Sequence, residues 1–590
     1  MRLTSLATAL CAASLALPAA AQTVYPLNRA EILAGSRFDL KVEFPGQVEA
    51  SSVKLTLNGQ DYTKVLGKTA TMIADETGKG ESSLVLRDVS ISKPGNYTVE
   101  VSDGTNTRKL SWNVYGTAAK PRAKNVILFI GDGFSIGHRT AARILSKGIS
   151  DGKVNGKLAI DDMPAMALLT TQGTDSIITD SANAAHAYTT GHKSCVNALG
   201  VYCSRAKGSL EHPKVETLAE VAKRNGLAVG AVTNSEIEDA TPAAMVAHTR
   251  RRSDYNDIVQ MFYDSKIDVM MGGGSPNFLP KSTPGSKRTD DVDYIEKFKG
   301  AGYAFATTKT EMNTAADNGK TTKLLGLYNT SNIDGALDLK FLKKGSVSKF
   351  PDQPDVVEQM KSAIKILSRN KKGFVLMVES ARIDKYSHSM DAERAIYDTI
   401  MLDDAVKAAK EWSRANGNDT LILVTADHTH GVSVVGTVND DAPGSEMRNK
   451  IGTYEEAGFP NYPAPNADGY PEKVDVSKRL RLVFANTPDY YETYRPFMDG
   501  ENVPAIKNAD GVMVANEKYK DIPGATFITG NLPNKGPRAA NQGVHTGDDV
   551  ILTAAGPGSD KVHGQMENSD LFRVMAEALA LGKPAAKSGK

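Results

Sequence analysis

The sequence predicts an α/β fold, with a mostly parallel central sheet covered by helices and a small immunoglobulin-like β-sandwich in front of it. Two patterns lead to this expectation. Beyond residue 124, continuous β-branched and apolar runs recur between helical stretches, at 125–133 (NVILFIGDG), 227–235, 268–274, 374–380, 421–428 and 549–556. Strands buried on both faces read this way, as they do in parallel sheets. Before residue 117 the runs are short and alternating, at 37–44, 53–59, 83–91, 96–104 and 109–116, with Gly, Pro and Asp turns between them. That spacing is the mark of a small sandwich. Residues 120–124 (KPRAK) read as the linker between the two parts.

Composition fits a folded chain and narrows its partners. Of 590 residues, 41% are hydrophobic and 24% charged, and 70 Lys+Arg balance 69 Asp+Glu to a net charge of +1. This excludes general disorder and gives no electrostatic reason to bind nucleic acid or an anionic membrane. Residues 1–21 join Arg2, a short apolar run and Ala19-Ala20-Ala21, and are expected to be a secretory signal peptide. Its removal takes Cys11 and leaves Cys195 and Cys203, for which a disulfide and two buried thiols both remain open. No later segment has an apolar run long enough to span a bilayer, so the mature protein is expected to be periplasmic or secreted.

The chemistry gathers at strand ends. Asp132, Glu379, Asp427 and His428 all follow predicted strands, and open α/β sheets place their sites at carboxyl ends. Asp384 and His388 are one helical turn apart and can face a single ion, with His545 available to complete such a site. Carboxylate with imidazole is a ligand set that suits zinc. Asp180 or Ser181 opens a run of helix formers, which puts Ser181 at a helix N-terminus that favours an anion, although a serine there can equally be a simple cap. Asp239 and Thr241 offer hard oxygens suited to magnesium. Arg250, Arg251 and Arg252 follow, and a guanidinium is the planar fork for phosphate, whereas three in a row are otherwise a solvated basic face.

Taken together, these segments resemble alkaline phosphatases of the bacterial three-metal serine type. The resemblance rests on GDG at 131–133, TDSA at 179–182, EDATPAAMVAH at 238–248, GGG at 272–274, VESARIDKYSH at 378–388, VTADHTH at 424–430 and VHTGDDV at 544–550. It runs in order over about residues 124–582 and implies a three-layer αβα sandwich. It also implies two Zn²⁺ and one Mg²⁺ per subunit. Asp384, His388 and His545 would serve the first zinc, and Asp132, Asp427 and His428 the second, with Ser181 beside it. Asp132, Thr241 and Glu379 would serve magnesium, with Asp239 acting through water. Arg252, thirteen residues after Asp239, is implied as the phosphate-binding arginine, and His430 as a residue orienting a zinc ligand. The implied reaction is hydrolysis of phosphate monoesters through a phosphoserine on Ser181, and relatives of this type are usually homodimers.

The resulting domain expectation is a signal peptide at 1–21, a β-sandwich at 22–117 and a catalytic domain at 118–590. A crown-like insertion is expected at about 431–541, carrying Tyr490, Tyr491, Tyr494 and Phe497. Related phosphodiesterases carry threonine as nucleophile and related sulfatases a C/S-x-P-x-R motif, whereas Ser181 is followed here by Ala-Asn-Ala. An envelope-binding protein with a vestigial phosphatase domain is the reading from another class, and the complete ligand set speaks against it. Arg382, two residues before Asp384, departs from the bacterial pattern.

Overall fold

The computed structural model describes residues 22–439, 441–445, 450–454, 465–495, 503–530 and 542–583, so the expected leader and Phe497 lie outside the described residues. The first part consists of β1 (Thr23–Tyr25), β2 (Ala30–Leu33), β3 (Arg37–Glu43), β4 (Lys54–Leu57), β5 (Gln60–Asp61), β6 (Thr71–Ile73), β7 (Ser83–Ser90), β8 (Gly95–Ser102) and β9 (Thr107–Tyr115). They form two sheets, ordered β1-β3-β7-β6 and β2-β9-β8-β4-β5. Each of the alternating runs became a strand. Alternation sends Leu40, Val42, Leu86, Val99, Val101 and Trp112 into one core shared by both sheets. The strands missing from the sequence reading (β1, β2, β5 and β6) are too short to show a period.

The second sheet is built from β10 (Asn125–Gly131), β11 (Ala165–Thr170), β12 (Ala228–Glu236), β13 (Val269–Gly273), β14 (Ala304–Ala306), β15 (Leu324–Leu327), β16 (Phe374–Ser380), β17 (Thr420–Ala426), β18 (Val550–Ala555) and β19 (His563–Glu567). Their order is β14-β15-β13-β12-β16-β10-β17-β18-β11-β19. The central strands β10, β12, β16 and β17 are parallel and buried almost throughout. The 549–556 run, expected among the parallel strands, instead runs antiparallel to both neighbours. The physical reason is its approach. Residues His545–Thr546 pair antiparallel with Thr429–His430 just past β17, so the chain re-enters from the carboxyl end of the sheet without a crossover helix.

Helices cover the sheet: α1 (Ile136–Lys147), α2 (Ser181–Thr190), α3 (Ala240–Ala243), α4 (Val356–Leu367), α5 (Arg382–His388), α6 (Ala392–Ala415) and α7 (Asp570–Ala578) among them. In α4, Val356, Met360, Ala363, Ile364 and Leu367 recur at helical spacing and are buried, and Asp355 with Glu358 forms the capping box that starts it. Among the described residues of 431–541, Val432–Val438 pairs with Ile451–Gly452 and Leu480–Phe484. Tyr490 and Tyr491 are half-buried on a short pair with Thr526–Ile528, while Tyr494 is exposed.

The two parts meet along residues 202–216. Phe38 bridges Val215, the Tyr25 hydroxyl donates to the Cys203 carbonyl at 2.8 Å, and the Lys214 N–H donates to Asp39 at 2.9 Å. Tyr202 and Val215 thereby join the core of the first part. Under them lies a buried charged cluster. Lys41 is 2.7 Å from Glu76 and 3.0 Å from Glu43, and the Arg205 Nε is 3.3 Å from Glu76.

Candidate metal centre

Strand register assembles the site. Gly131 at the end of β10 pairs with Ser380 of β16 on one side and Ala426 of β17 on the other, and Glu379 pairs with Thr233 of β12. The chain therefore leaves these strands at one level, carrying Asp132, Glu379 and Asp427 with it. Gly133 makes the turn possible. It has φ +66°, and a Cβ there would fall 2.8 Å from the His430 ring and 3.1 Å from Asp384 Oδ1. Its N–H donates to Asp427 Oδ1 at 3.0 Å, which fixes that carboxylate.

Three imidazoles converge around Asp384. His388, one turn further along α5, brings Nε2 to 3.5 Å from Asp384 Oδ2, and His545 Nε2 lies 3.3 Å from Oδ1. His430 Nε2 lies 2.7 Å from the same Oδ1. The Gly543 carbonyl receives a hydrogen bond from His388 Nδ1 at 3.0 Å, and the Thr179 carbonyl one from His545 Nδ1 at 2.9 Å. Carbonyls only accept, so Nδ1 carries the proton in both rings and Nε2 presents a lone pair. Those two lone pairs face each other across 3.3 Å, an arrangement that repels unless a cation stands between them.

The neighbouring group is drier still. His428 Nε2 lies 3.3 Å from Asp132 Oδ1, 3.4 Å from Asp427 Oδ2 and 3.4 Å from Ser181 Oγ. Ser181 begins α2, capped by Asp180, whose side chain accepts from the Asn183 N–H. Asp132 Oδ1, Asp427 Oδ2, His428 Nδ1 and Thr241 Oγ1 are buried without a hydrogen-bond partner. Orphaned polar atoms in such number are costly, and a cation accounts for the acidic ones.

Beside them, Glu379 accepts from the Thr233 hydroxyl. Asp239 is already saturated: Arg252 Nη2 donates to Oδ1 at 2.8 Å, and Lys385 Nζ and Ser235 Oγ each donate to Oδ2 at 2.8 Å. Its carboxylate is thus tied to two cations and stands outside the clusters around Asp384 and His428. Arg252 also reaches Asp180 at 3.3 Å, which leaves the guanidinium beside the start of α2. A disulfide joins Cys195 to Cys203, resolving the open cysteine question. Within that loop the Asn197 N–H donates to Asp180, and its carbonyl accepts from the Arg252 N–H at 2.9 Å.

Electrostatics separates these carboxylates. Burial pushes Asp132 well above the ordinary range, helped by Asp384, Asp427 and Glu379, and it raises Asp427 as well. Burial, with Asp239 nearby, pushes Glu379 up to about 8. Burial opposes ionisation of Asp384, but the hydrogen bond from His430 and the His388 ring beside it hold it well below. Burial is likewise overcome at Asp239 by Lys385 and Arg252. Burial drives His428 far down, so its ring is neutral and able to ligate. Crowded buried acids facing neutral imidazoles fit divalent cations, whose charge inverts this local preference.

The sequence-predicted residues Asp132, Ser181, Asp384, His388, Asp427, His428 and His545 thus come together, with Thr241, Glu379, Asp239 and Arg252 bordering them. Sequence reasoning gave no site role to Asp180, although its place before a helical serine is the signal for a cap.

Comparison with known proteins gives one consistent result. A family model described as alkaline phosphatase matches residues 123–581. Alkaline phosphatase 4 of Bacillus subtilis is 31% identical over 472 residues, covering 79% of this chain and 90% of its own length. The alkaline phosphatase of Escherichia coli K12 is 33% identical over 363 residues, 55% of this chain and 73% of its own. The crystal structure of Thermus thermophilus alkaline phosphatase superposes with a TM-score of 0.54 at 21% identity, over 80% of this chain and 94% of that one, a likeness of fold.

Proposed function

The chain belongs to the alkaline phosphatase family, and from that premise we propose how its residues divide the metal-dependent hydrolysis of phosphate monoesters. Asp384, His388 and His545 hold one zinc, and Asp132, Asp427 and His428 hold a second beside Ser181. Asp132, Thr241 and Glu379 would hold magnesium, while Asp239, its oxygens taken by Arg252, Lys385 and Ser235, holds Arg252 in place. The observation that carries this reading is the pair of buried, unpartnered oxygens on Asp132 and Asp427, 3.3 and 3.4 Å from the same His428 nitrogen that lies 3.4 Å from Ser181. Divalent ions, when bound there, neutralise phosphate charge and acidify a hydroxyl.

Ser181 Oγ attacks phosphorus in line, and the ester oxygen leaves on the opposite side. The N-terminus of α2 favours the anion that forms at this position. Arg252, held by Asp180 and Asp239, binds two non-bridging oxygens and fixes the phosphoryl group during attack. Water then displaces Ser181 in a second in-line step, returning the hydroxyl and releasing phosphate. Lys385 keeps Asp239 charged and in place.

Ser181→Ala is expected to abolish turnover, and labelled phosphate trapped on any other residue of that variant would overturn the assignment. Turnover of p-nitrophenyl phosphate is expected to exceed that of its bis-ester, and elemental analysis should return two zinc and one magnesium.

The protein works in the periplasm or outside the cell, a reading supported by the leader-like residues 1–21 and the disulfide. Among the described residues no helix is long and apolar enough to cross a membrane. The active form is a homodimer, as the family resemblance implies. The two-sheet N-terminal part is an immunoglobulin-like module, and the catalytic part is a three-layer αβα sandwich whose insertion at about 431–541 crowns the site.

A further inference from the structure

Next to the phosphate-binding arginine lies a cavity of about 440 Å³ walled by Asn197, Arg250, Arg251, Arg252 and Ser253. Its volume falls within the range of small-molecule sites, roughly 300–1,000 Å³. No carboxylate lines it, and its guanidiniums are not equivalent. Arg252 is neutralised by Asp180 and Asp239. Arg250 donates only to a neutral carbonyl, that of Val196 at 2.8 Å, and the exposed Arg251 has no carboxylate within 4.0 Å among the described residues. Two arginines without a carboxylate partner therefore line the same cavity as Arg252.

The backbone presenting them is pinned at successive residues. The N–H of Arg250 donates to Ser209 at 2.8 Å, that of Arg251 to the Thr249 hydroxyl at 3.1 Å and that of Arg252 to Asn197 at 2.9 Å. The Arg251 carbonyl accepts from the Asp254 N–H at 3.1 Å. A solvated basic face needs no such anchoring, whereas a ligand site gains from it because less ordering remains on binding.

We infer that Arg250 and Arg251 form a second anion subsite, which selects phosphoryl compounds whose leaving group carries or is another phosphate close to the scissile one. This rests on the reading of Arg252 as the phosphate-binding residue and specifies the substrate class of the same site. Arginine forks suit phosphate oxygens in pairs, and a diphosphate would engage Arg252 with one group and the cavity with the other.

The test uses the full chain loaded with zinc and magnesium. The ratio of kcat/KM for pyrophosphate to that for p-nitrophenyl phosphate is measured in wild type, Arg251→Met and Arg251→Lys. Inhibition of p-nitrophenyl phosphate turnover by methylenediphosphonate is measured against methylphosphonate. Methylenediphosphonate is expected to bind wild type about tenfold tighter or better, as charge-assisted contacts allow. The pyrophosphate ratio should drop about tenfold in Arg251→Met, with part retained in Arg251→Lys. Equal inhibition by the two phosphonates, or an unchanged ratio in Arg251→Met, would overturn the subsite while leaving the phosphatase reading intact. A wild-type enzyme inactive on both substrates would overturn the phosphatase reading and the subsite with it.

Discussion

The protein buries charge in two places, and the two clusters are built on opposite plans. Under the N-terminal sheets, Lys41 and Arg205 alternate with Glu43 and Glu76, and the carboxylates find cations within 2.7–3.3 Å. Lys41 is 1% exposed, yet the cluster balances its own charge. At the carboxyl ends of β10, β16 and β17, Asp132, Asp427 and Glu379 crowd together near the neutral His428 ring, and polar atoms of Asp132, Asp427, His428 and Thr241 have no partner. Burial alone does not distinguish structure from function here. Local neutrality does: the first cluster is complete as protein, and the second requires ions from outside.

Chelation is the strongest way to break that contrast. Stripping the divalent metals should remove essentially all activity, more than about 10³-fold, and lower the melting temperature, with both restored on readdition. An apoenzyme that melts unchanged would mean the second cluster balances itself after all. In the first cluster, Lys41→Met should cost about 3–5 kcal/mol by removing the nearer of the two cations that neutralise Glu43 and Glu76, as measured by denaturant unfolding, with metal content untouched.

Removing an acid should act with opposite sign in the two places. In chelator, Asp427→Asn relieves crowding and should stabilise the apoprotein by about 1 kcal/mol, whereas Glu76→Gln should destabilise it under the same conditions. Equal signs would erase the distinction. The smallest effect is the pH slope. The raised Glu379 group contributes stability to the apoprotein that is present below 4.5 and lost as pH rises towards about 8. Burial disfavours Glu76 ionisation, but Lys41 and Ser83 hold its pKa below 4.5, so its contribution is present above 4.5 and lost on acidification. Metal loading at pH 7 should accordingly release protons, measurable by calorimetry in buffers of different ionisation enthalpy, and release fewer above pH 8.

The second cluster was legible in the sequence because its ligands sit where strands stop. A continuous apolar run ending in Asp132, Glu379 or Asp427 announces both the strand and the level at which it delivers a carboxylate. The first cluster was not legible, since Arg205 lies far from Lys41, Glu43 and Glu76 in the chain and no local period links them. Strand β11 escaped for a related reason. It borders the site-forming strands through β18, but Met166 and Leu168 are 55% and 47% exposed, so its apolar residues do not sort onto one buried face. That His430 orients a zinc ligand followed only from family resemblance, and its contact with Asp384 joins helix α5 to a segment 46 residues further along the chain.

The meeting of Tyr202 and Val215 with the N-terminal sheets has a consequence for how the chain is made. Those sheets end at Tyr115, but their core closes only on residues supplied much later. A chain emerging N-terminus first must therefore hold an unfinished sandwich until residues 202–216 arrive, and those residues lead back through the disulfide loop to Asp180 and Arg252. The two parts are therefore expected to mature together, with the last step of the first one coinciding with the placing of Asp180 and Arg252 in the second.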